Sequence, residues 1–172
     1  FVCADGSVRH VQVVVTAVQG DQGSPAFLSS VYNDVTDQVI AERSLRSVVE
    51  GTASVTGEAF FPVLARQLAA TLGVDHILIN QLNADDTLTT LVFWSHHRTQ
   101  EAFTYHRDKT PCDRTLRQGF YCCPEQVQRT FPADQDLVLL NAESYVGVAL
   151  QDSRGQLLGE ICALHSPPIQ NL

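Results

Sequence analysis

The sequence predicts an α+β fold in which an antiparallel sheet is flanked by helices and preceded by a β-hairpin and a connecting helix. Two observations predict it. Helical periodicity fills most of residues 37–72, and β-branched or alternating segments joined by short turns lie on both sides of this stretch. Short links between strands require antiparallel pairing, and helices before and between such strands are typical of the α+β class.

The composition is that of a folded globular protein. The 172 residues are 44% hydrophobic and 17% charged, and no apolar run approaches the roughly 18 residues that a membrane helix needs. The net charge of −8 repels the phosphates of nucleic acids and of anionic membranes. We therefore expect a cytoplasmic protein with no nucleic-acid partner and no direct membrane contact.

The two ends of the sequence suggest a piece of a longer protein. The chain begins at Phe1 within a predicted strand, and it contains no Met. We expect either a fragment or a sequence from which Met residues have been lost. In a fragment, further domains belong to the same chain.

The first 36 residues predict a β-hairpin. Asp5-Gly6 is a turn dipeptide, residues 8–18 are rich in β-branched side chains, and residues 26–33 form a second short strand after a break at residues 20–25. Two strands cannot bury a face by themselves.

A helix is predicted next, over residues 37–50. Thr36 is a suitable N-cap, Asp37 places a carboxylate in the first turn, and Gly51 ends the helix. The spacing of Ala41, Leu45 and Val48 is that of a short coiled-coil seam, so these three residues are candidates for a dimer interface. An amphipathic helix lying on its own domain explains the same spacing.

The rest of the chain predicts one more long helix and five strands. The helix runs from near residue 56 to residue 72, where Gly73 stops it, and Pro62 delays its regular part. The strands are expected at residues 74–82, 87–95, 100–106, 145–150 and 157–165, with a mostly irregular and helical stretch at residues 109–141.

Several short motifs in the last two thirds of the chain are similar to those of one domain family. They are Gly57-Glu58-Ala59-Phe60-Phe61, Leu68-Ala69, Thr110-Pro111-Cys112, Phe131-Pro132, residues 142–150, residues 152–156 and Leu158-Gly159. Together they resemble the GAF domains of bacterial sensor histidine kinases and diguanylate cyclases, except that Ala149 replaces a common Pro. The resemblance implies a GAF domain over residues 56–172 that lacks its last helix.

The first 45 residues are similar to the end of a PAS domain. Asp34-Val35-Thr36 follows two predicted strands and leads into a helix, which is a recurrent arrangement at the exit of a PAS sheet. The resemblance implies a partial PAS domain over residues 1–36 and a connecting signalling helix over residues 37–55. The Asp34 carboxylate is expected to accept hydrogen bonds at the strand-to-helix corner and, with Thr36, to fix the helix direction.

The GAF resemblance implies a sensory module that binds a small molecule between the sheet and residues 109–141 and relays its state through a helix to an attached output domain. Five residues are expected to line the pocket, namely Trp94, Phe103, Tyr105, Cys112 and Tyr145. Cys112 follows Pro111 at a predicted helix start, where the helix dipole lowers the pKa of a thiol. The alternative is that all five are core residues of a filled interior.

No cofactor is identified by the sequence. Nothing resembles the Cys-His pair that attaches a bilin or the residues that bind cyclic nucleotides in other GAF domains. The five Cys residues form no Cys-x-x-Cys pair, so we expect no metal at Cys122-Cys123 or at His96-His97, and Cys162 is expected to pack in the core.

Two further functions stay open. One is a ligand-free dimerisation platform. The other is an enzyme, because free methionine sulfoxide reductases share the GAF fold and use cysteines, although Cys112, Cys122 and Cys123 do not match their pattern. We expect the chain itself to be non-catalytic and its parent protein to be a kinase or cyclase.

Overall fold

The computed structural model describes residues 1–19, 25–53 and 57–169. The chain divides into two compact units, Phe1–Ser47 and a second that starts at Val48. No helix among the described residues is both long and apolar enough to cross a membrane.

The first unit contains the predicted hairpin and the start of the predicted helix. Strands β1 (Val11–Gln19) and β2 (Pro25–Asp34) pair antiparallel, with Val11 opposite Asp34. Helix α1 (Thr36–Thr52) follows directly. The expected break at residues 20–25 lies mostly outside the described residues.

The corner between β2 and α1 is held by side chains. One Asp34 carboxylate oxygen accepts hydrogen bonds from the Thr36 amide (2.9 Å) and hydroxyl (2.5 Å). The Thr36 hydroxyl oxygen in turn accepts one from the His10 amide at 2.8 Å. These bonds tie the end of β2, the start of α1 and the start of β1 together, so the direction of the helix relative to the hairpin is fixed.

The second unit opens with helix α2 (Phe60–Leu72), which follows a 3₁₀ turn at Gly57–Ala59. Pro62 lies in the first turn, where a missing amide hydrogen breaks no bond within the helix. Gly73 ends the helix in the left-handed region (φ 66°) and donates its amide to the Ala69 carbonyl. The predicted stop and the late regular start are both confirmed. Residue 56, near which the helix was predicted to begin, lies outside the described residues.

An antiparallel sheet forms the centre of this unit. Its strands are β3 (His76–Leu82), β4 (Thr87–Ser95), β5 (Arg98–Gln100), β6 (Thr104–His106), β7 (Phe120–Cys123), β8 (Ser144–Gln151) and β9 (Leu157–His165). They lie in the order β5-β4-β3-β9-β8-β7, with β6 also paired to β4. The predicted antiparallel α+β class is confirmed.

The single strand predicted at residues 100–106 is wrong, since β5 and β6 are separate. Opposite the break, β4 carries a bulge, because Ile79 pairs with Val92 but Asn80 pairs with Thr90. A bulge interrupts the regular ladder and bends the strand. The stretch at residues 109–141 holds α3 (Pro111–Gln118), α4 (Val127–Thr130) and α5 (Gln135–Leu139) as well as β7.

The helices cover opposite faces of the sheet, and the strand alternation assigns side chains to each. On the α2 face, Ile77 and Ile79 of β3 pack with Ala65, Ala69, Val92 and Ala163. On the other face, which we call the cavity face, Leu78 packs with Leu116 of α3 and Leu137 of α5.

Candidate functional site

A small cavity lies between the cavity face and helices α3 and α5. Its volume is about 30 Å³, which is room for one or two water molecules, against roughly 300 Å³ or more for pockets of drug-sized ligands. It is lined by Leu78, Phe103, Tyr105, Pro111, Cys112, Asp134, Asp136, Leu137, Leu140, Tyr145, Cys162 and Leu164. The structure thus brings together four of the five predicted pocket residues, Phe103, Tyr105, Cys112 and Tyr145.

The fifth predicted residue, Trp94, lies on the wrong face. Successive side chains of a strand point to opposite faces, and Phe93 is the β4 residue whose ring meets Phe103, at 5.8 Å between centroids. Trp94 instead packs with the α2 core and lines a separate surface groove beside His96 and His97. Its assignment to the pocket is therefore corrected.

Helix α3 places Cys112 at the cavity. Thr110 caps the helix by accepting the Asp113 amide, and Pro111 occupies the first turn, so the predicted helix start is confirmed. The predicted low thiol pKa is wrong. The hydrogen bond with Cys162 lowers the pKa of Cys112, but burial and the nearby Glu160 carboxylate outweigh it, and the pKa lies above its ordinary value.

A group of six polar side chains adjoins the cavity and supplies four of its lining residues. We call it the polar cluster, and it consists of Asn80, Tyr105, Cys112, Tyr145, Glu160 and Cys162. The Asn80 amide nitrogen donates to the Tyr105 hydroxyl at 3.0 Å and to Glu160 Oε1 at 3.2 Å. The Tyr105 hydroxyl lies 3.4 Å from the Cys112 sulfur. Strands β3, β6 and β9 and helix α3 therefore meet through polar contacts.

Tyr145 closes the cluster from β8. Its hydroxyl donates to Glu160 Oε2 at 3.3 Å and lies 2.7 Å from the Thr115 hydroxyl of α3. Gly147 makes this position of the ring possible, because a Cβ there would collide with the Tyr145 hydroxyl and with Thr115 Oγ1. Burial raises the pKa of Tyr145 well above its ordinary value, so the phenol stays protonated and donates.

One polar atom of the cluster, and one on a neighbouring residue, have no hydrogen-bond partner. Glu160 is fully buried, and within the described part of the chain it forms no salt bridge. Burial raises the pKa of its carboxyl group. Asn80 Oδ1 and Thr90 Oγ1, on residues that face each other across β3 and β4, are buried without a hydrogen-bond partner. Buried groups of this kind are rare in folded proteins and require an explanation.

The rim of the cavity is acidic. Asp134 and Asp136, at the start of α5, both line it, and no Lys, Arg or His does so among the described residues. Burial, followed by the nearby Asp136 carboxylate, raises the pKa of Asp134. Asp134 and Asp136 are therefore the acidic side chains of the cavity lining, while Glu160 lies outside that lining.

Sequence reasoning did not single out Asn80 or Glu160, and it assigned Cys162 to packing alone. Cys162 is buried, but it also lies in the polar cluster, 4.0 Å from the Asn80 amide nitrogen. One signal was available in the sequence. Glu160 and Cys162 are two residues apart on a predicted strand of otherwise apolar character, so they share a face, and a Glu there is costly to bury.

The other reactive residues lie away from this cluster. His96 and His97 are exposed and form the turn between β4 and β5, each with positive φ. Cys122 is half-buried on β7, and Cys123, the next residue, is buried. Neither pair belongs to the one group of three side chains, among the described residues, whose donor atoms lie close enough together to hold a metal ion, which is Cys112, Glu160 and Cys162.

Comparison with known proteins identifies the fold. No protein-family model and no curated protein matches the chain. Among solved structures, it is similar to the nlh2 GAF domain of A. aeolicus in an inactive state, with 15% identity over 77% of this chain and 83% of that one and a TM-score of 0.60.

Two other solved structures extend this likeness. The chromophore-binding domain of Stigmatella aurantiaca phytochrome P1 matches at 11% identity over 98% of this chain and 65% of that one, with a TM-score of 0.62. The free methionine-R-sulfoxide reductase of Neisseria meningitidis, solved with its substrate, matches at 16% identity over 78% and 79%, with a TM-score of 0.60. The chain has the GAF fold.

Proposed function

We propose that the domain from residue 57 onward is a sensory module whose cavity takes up a small cationic ligand. One observation carries the proposal: the buried Glu160 carboxyl group has no cationic partner among the described residues, and it is bonded to Tyr145, which lines a cavity rimmed by Asp134 and Asp136. Ionisation of a buried carboxyl group without a counter-charge is costly, which is why burial raises the pKa of Glu160. A bound cation offsets that cost. We therefore expect this carboxylate to favour positively charged ligands over neutral or negatively charged ones.

A ligand larger than a few atoms requires the cavity to open, and α5 is the element best suited to move. It has only five residues. Leu137 is buried against the cavity, while its neighbours Val138 and Leu139 are 62% and 81% exposed. Displacing α5 therefore removes few buried apolar contacts, which is typical of segments that open locally. The occupied state differs from the closed one at this helix.

The ligand state is relayed through α1 to a covalently attached output domain. Support comes from the Asp34–Thr36 corner, which fixes where α1 begins, and from the uninterrupted run of α1 from Thr36 to Thr52. We propose that the preceding hairpin is the end of a PAS domain. The parent protein is then a bacterial sensor histidine kinase or diguanylate cyclase that acts in the cytoplasm.

A thermal-shift panel tests the ligand proposal. Polyamines, amino acid amides and divalent metal chlorides are compared with carboxylates and sugar phosphates. We expect one or more cationic compounds to raise the melting temperature, and Tyr105→Ala to reduce that shift because it removes a lining side chain. Tyr32→Ala, on the exposed face of β2, is the matched control and should keep it. A panel without any shift, or a shift that only anions produce, would contradict the proposal.

Dimerisation through α1 is the second candidate role. Leu45 and Val49 are 65% and 55% exposed, Ala41 is also exposed, and Val48 is half-buried, so α1 presents apolar side chains at the predicted seam. Leu45→Asp should convert a dimer into monomers in sedimentation velocity, whereas Ser47→Asp, at an exposed position away from the seam on the same helix, should not. A sedimentation profile that Leu45→Asp leaves unchanged would remove this role.

A reductase role, raised by the Neisseria meningitidis neighbour, receives less support. Its chemistry requires an attacking thiolate with a second Cys in reach, and Cys112 and Cys162 are close together. However, the hydrogen bond from Cys112 and burial raise the pKa of Cys162 well above its ordinary value, and the pKa of Cys112 is raised as well. Both thiols are therefore protonated at neutral pH, which argues against catalysis.

A further inference from the structure

We infer that a Zn²⁺ site lies beside the cavity, with the Cys112 and Cys162 thiolates and the Glu160 carboxylate as its ligands. One sulfur or oxygen atom from each residue lies within 4.8 Å of the other two, and all three side chains are buried. Two secondary-structure elements supply them. Glu160 and Cys162 share a face of β9, and Cys112 comes from the first turn of α3.

The spacing fits a tetrahedral ion after a small contraction. With Zn–S of about 2.3 Å and Zn–O of about 2.0 Å, ligand atoms in a tetrahedral site lie about 3.5–3.8 Å apart. The three atoms, which lie within 4.8 Å of one another, must approach by at most roughly 1.0–1.3 Å to reach these spacings. Rotation of the side chains provides this distance without a shift of the strand.

The neighbouring Asn80 supplies an independent indication. Its amide nitrogen lies 3.2 Å from Glu160 Oε1 and 4.0 Å from the Cys162 sulfur, and its Oδ1 is buried without a partner. Rotation of the amide group exchanges its oxygen and nitrogen. Asn80 can therefore turn an unpaired oxygen toward the ion as a fourth ligand, while Tyr105, next to Cys112, orients that thiolate from outside.

The ligand atoms and the size of the cavity favour zinc over other metal ions. Two thiolates favour a soft or borderline metal such as Zn²⁺ over Mg²⁺ or Ca²⁺, and a carboxylate oxygen is an ordinary zinc ligand. The cavity of about 30 Å³, which Cys112 and Cys162 line, leaves room for an ion beside the two thiols. Binding releases the thiol protons, the 2+ charge of the ion balances the two thiolates, and the Glu160 carboxylate is a further direct ligand.

This inference goes beyond the proposed function. It concerns the same cavity, but an ion held by Cys112 and by β9 crosslinks α3 to the sheet, whether or not an organic cation binds nearby. The zinc site can therefore be tested independently of the sensory proposal. If no metal binds but an organic cation still shifts the melting temperature, the sensory proposal survives and the zinc site does not.

Cobalt substitution of the 172-residue chain tests the site directly. The reduced, metal-free protein is titrated with Co²⁺, whose thiolate charge-transfer and tetrahedral d–d absorption bands report the ligands, and Zn²⁺ is then added in competition. We expect one Co²⁺ per chain with both bands, and displacement by Zn²⁺. Absence of the thiolate band, or displacement by Mg²⁺ as easily as by Zn²⁺, would overturn the inference.

Matched variants keep the test specific. Cys162→Ser should reduce the thiolate band to half or less, because one of the two thiolates is lost, and Cys122→Ser, a half-buried Cys outside the polar cluster, should retain it in full. Glu160→Gln, which keeps the shape of the side chain, should weaken Zn²⁺ binding at least tenfold, because losing a ligand costs more than the roughly 10–100-fold of losing a supporting contact. Far-UV circular dichroism checks each fold. Unchanged affinity in a folded Glu160→Gln, or equal losses in both Cys variants, would contradict the site.

Discussion

The α2 face and the cavity face are built by alternate residues of the same strands, yet they differ in character. Ile77, Ile79 and Ala163 face α2 in an apolar core. Asn80, on the strand that carries both isoleucines, belongs to the polar cluster on the other side. The two buried side chains of acidic or basic type among the described residues, His76 and Glu160, both lie on the cavity face.

The two faces differ in how their buried side chains affect the stability of the fold. Burying apolar surface stabilises the fold by about 25 cal/mol per Å², whereas burying a polar group without a full set of partners costs free energy. Residues that break the rules of core packing are expected at functional sites. The α2 face therefore holds the domain together, and the costly groups of the cavity face are those that the proposed binding role explains.

The largest effect is expected on the α2 face. Ile79 is 1% exposed, and Ile79→Ala should lower the free energy of unfolding by about 2–5 kcal/mol, since it leaves a cavity in a packed core. Leu91→Ala, at a 43% exposed position of β4, is the control and should cost much less. Urea unfolding followed by circular dichroism measures both. Equal losses would show that the α2 core is not the stabilising layer.

A smaller loss is expected where the cavity face is most crowded. Gly147→Ala places a methyl group against the Tyr145 hydroxyl and Thr115, which should cost about 1–3 kcal/mol. Tyr145→Phe removes that hydroxyl, so in this background the same change should cost less. A double-mutant cycle of unfolding free energies gives the coupling. Additive losses would mean that Gly147 does not act through Tyr145.

His76, on the cavity face, should make the free energy of unfolding depend on pH. Burial lowers its pKa below the ordinary 6.5, and the Leu140 carbonyl and Asp75 offset only part of this. The unfolded state then binds more protons than the folded state, so stability is full above pH 6.5 and falls as the pH drops toward the folded pKa. Each unit of separation between the two pKa values is worth about 1.4 kcal/mol.

Unfolding in urea at about pH 7 and about pH 5, where an ordinary His changes charge, measures this dependence. His76→Gln should lose less stability than the wild type between the two conditions. His106→Gln, at an exposed position, should behave like the wild type. An identical pH dependence in His76→Gln and the wild type would remove His76 as its cause.

Local sequence patterns predicted most elements of the fold. The stop at Gly73, the start at Pro111 and the strands at residues 87–95 and 157–165 depend on nearby residues, so they could be predicted. The division of residues 100–106 could not, because it lies opposite the bulge near Thr90 on another strand.

The site was only partly predictable for a similar reason. Phe103 and Tyr105 share a face by simple alternation, and both line the cavity. Trp94 was placed on the wrong face, since the sequence does not say which side of β4 meets α3. The meeting of Cys112 with Glu160 joins α3 to β9, and only the three-dimensional topology brings those elements together.

The unfolding free energy of Glu160→Gln, measured near pH 7 without added cations, tests the central claim most directly. If Glu160 is kept for binding, replacing a buried carboxylate with a neutral amide of the same shape should leave stability unchanged or raise it by about 1 kcal/mol. Ile79→Val on the α2 face should cost about 0.5–1.5 kcal/mol in the same assay. A loss in Glu160→Gln that exceeds the loss in Ile79→Val would contradict the account, because Glu160 would then be a stabilising residue of the core.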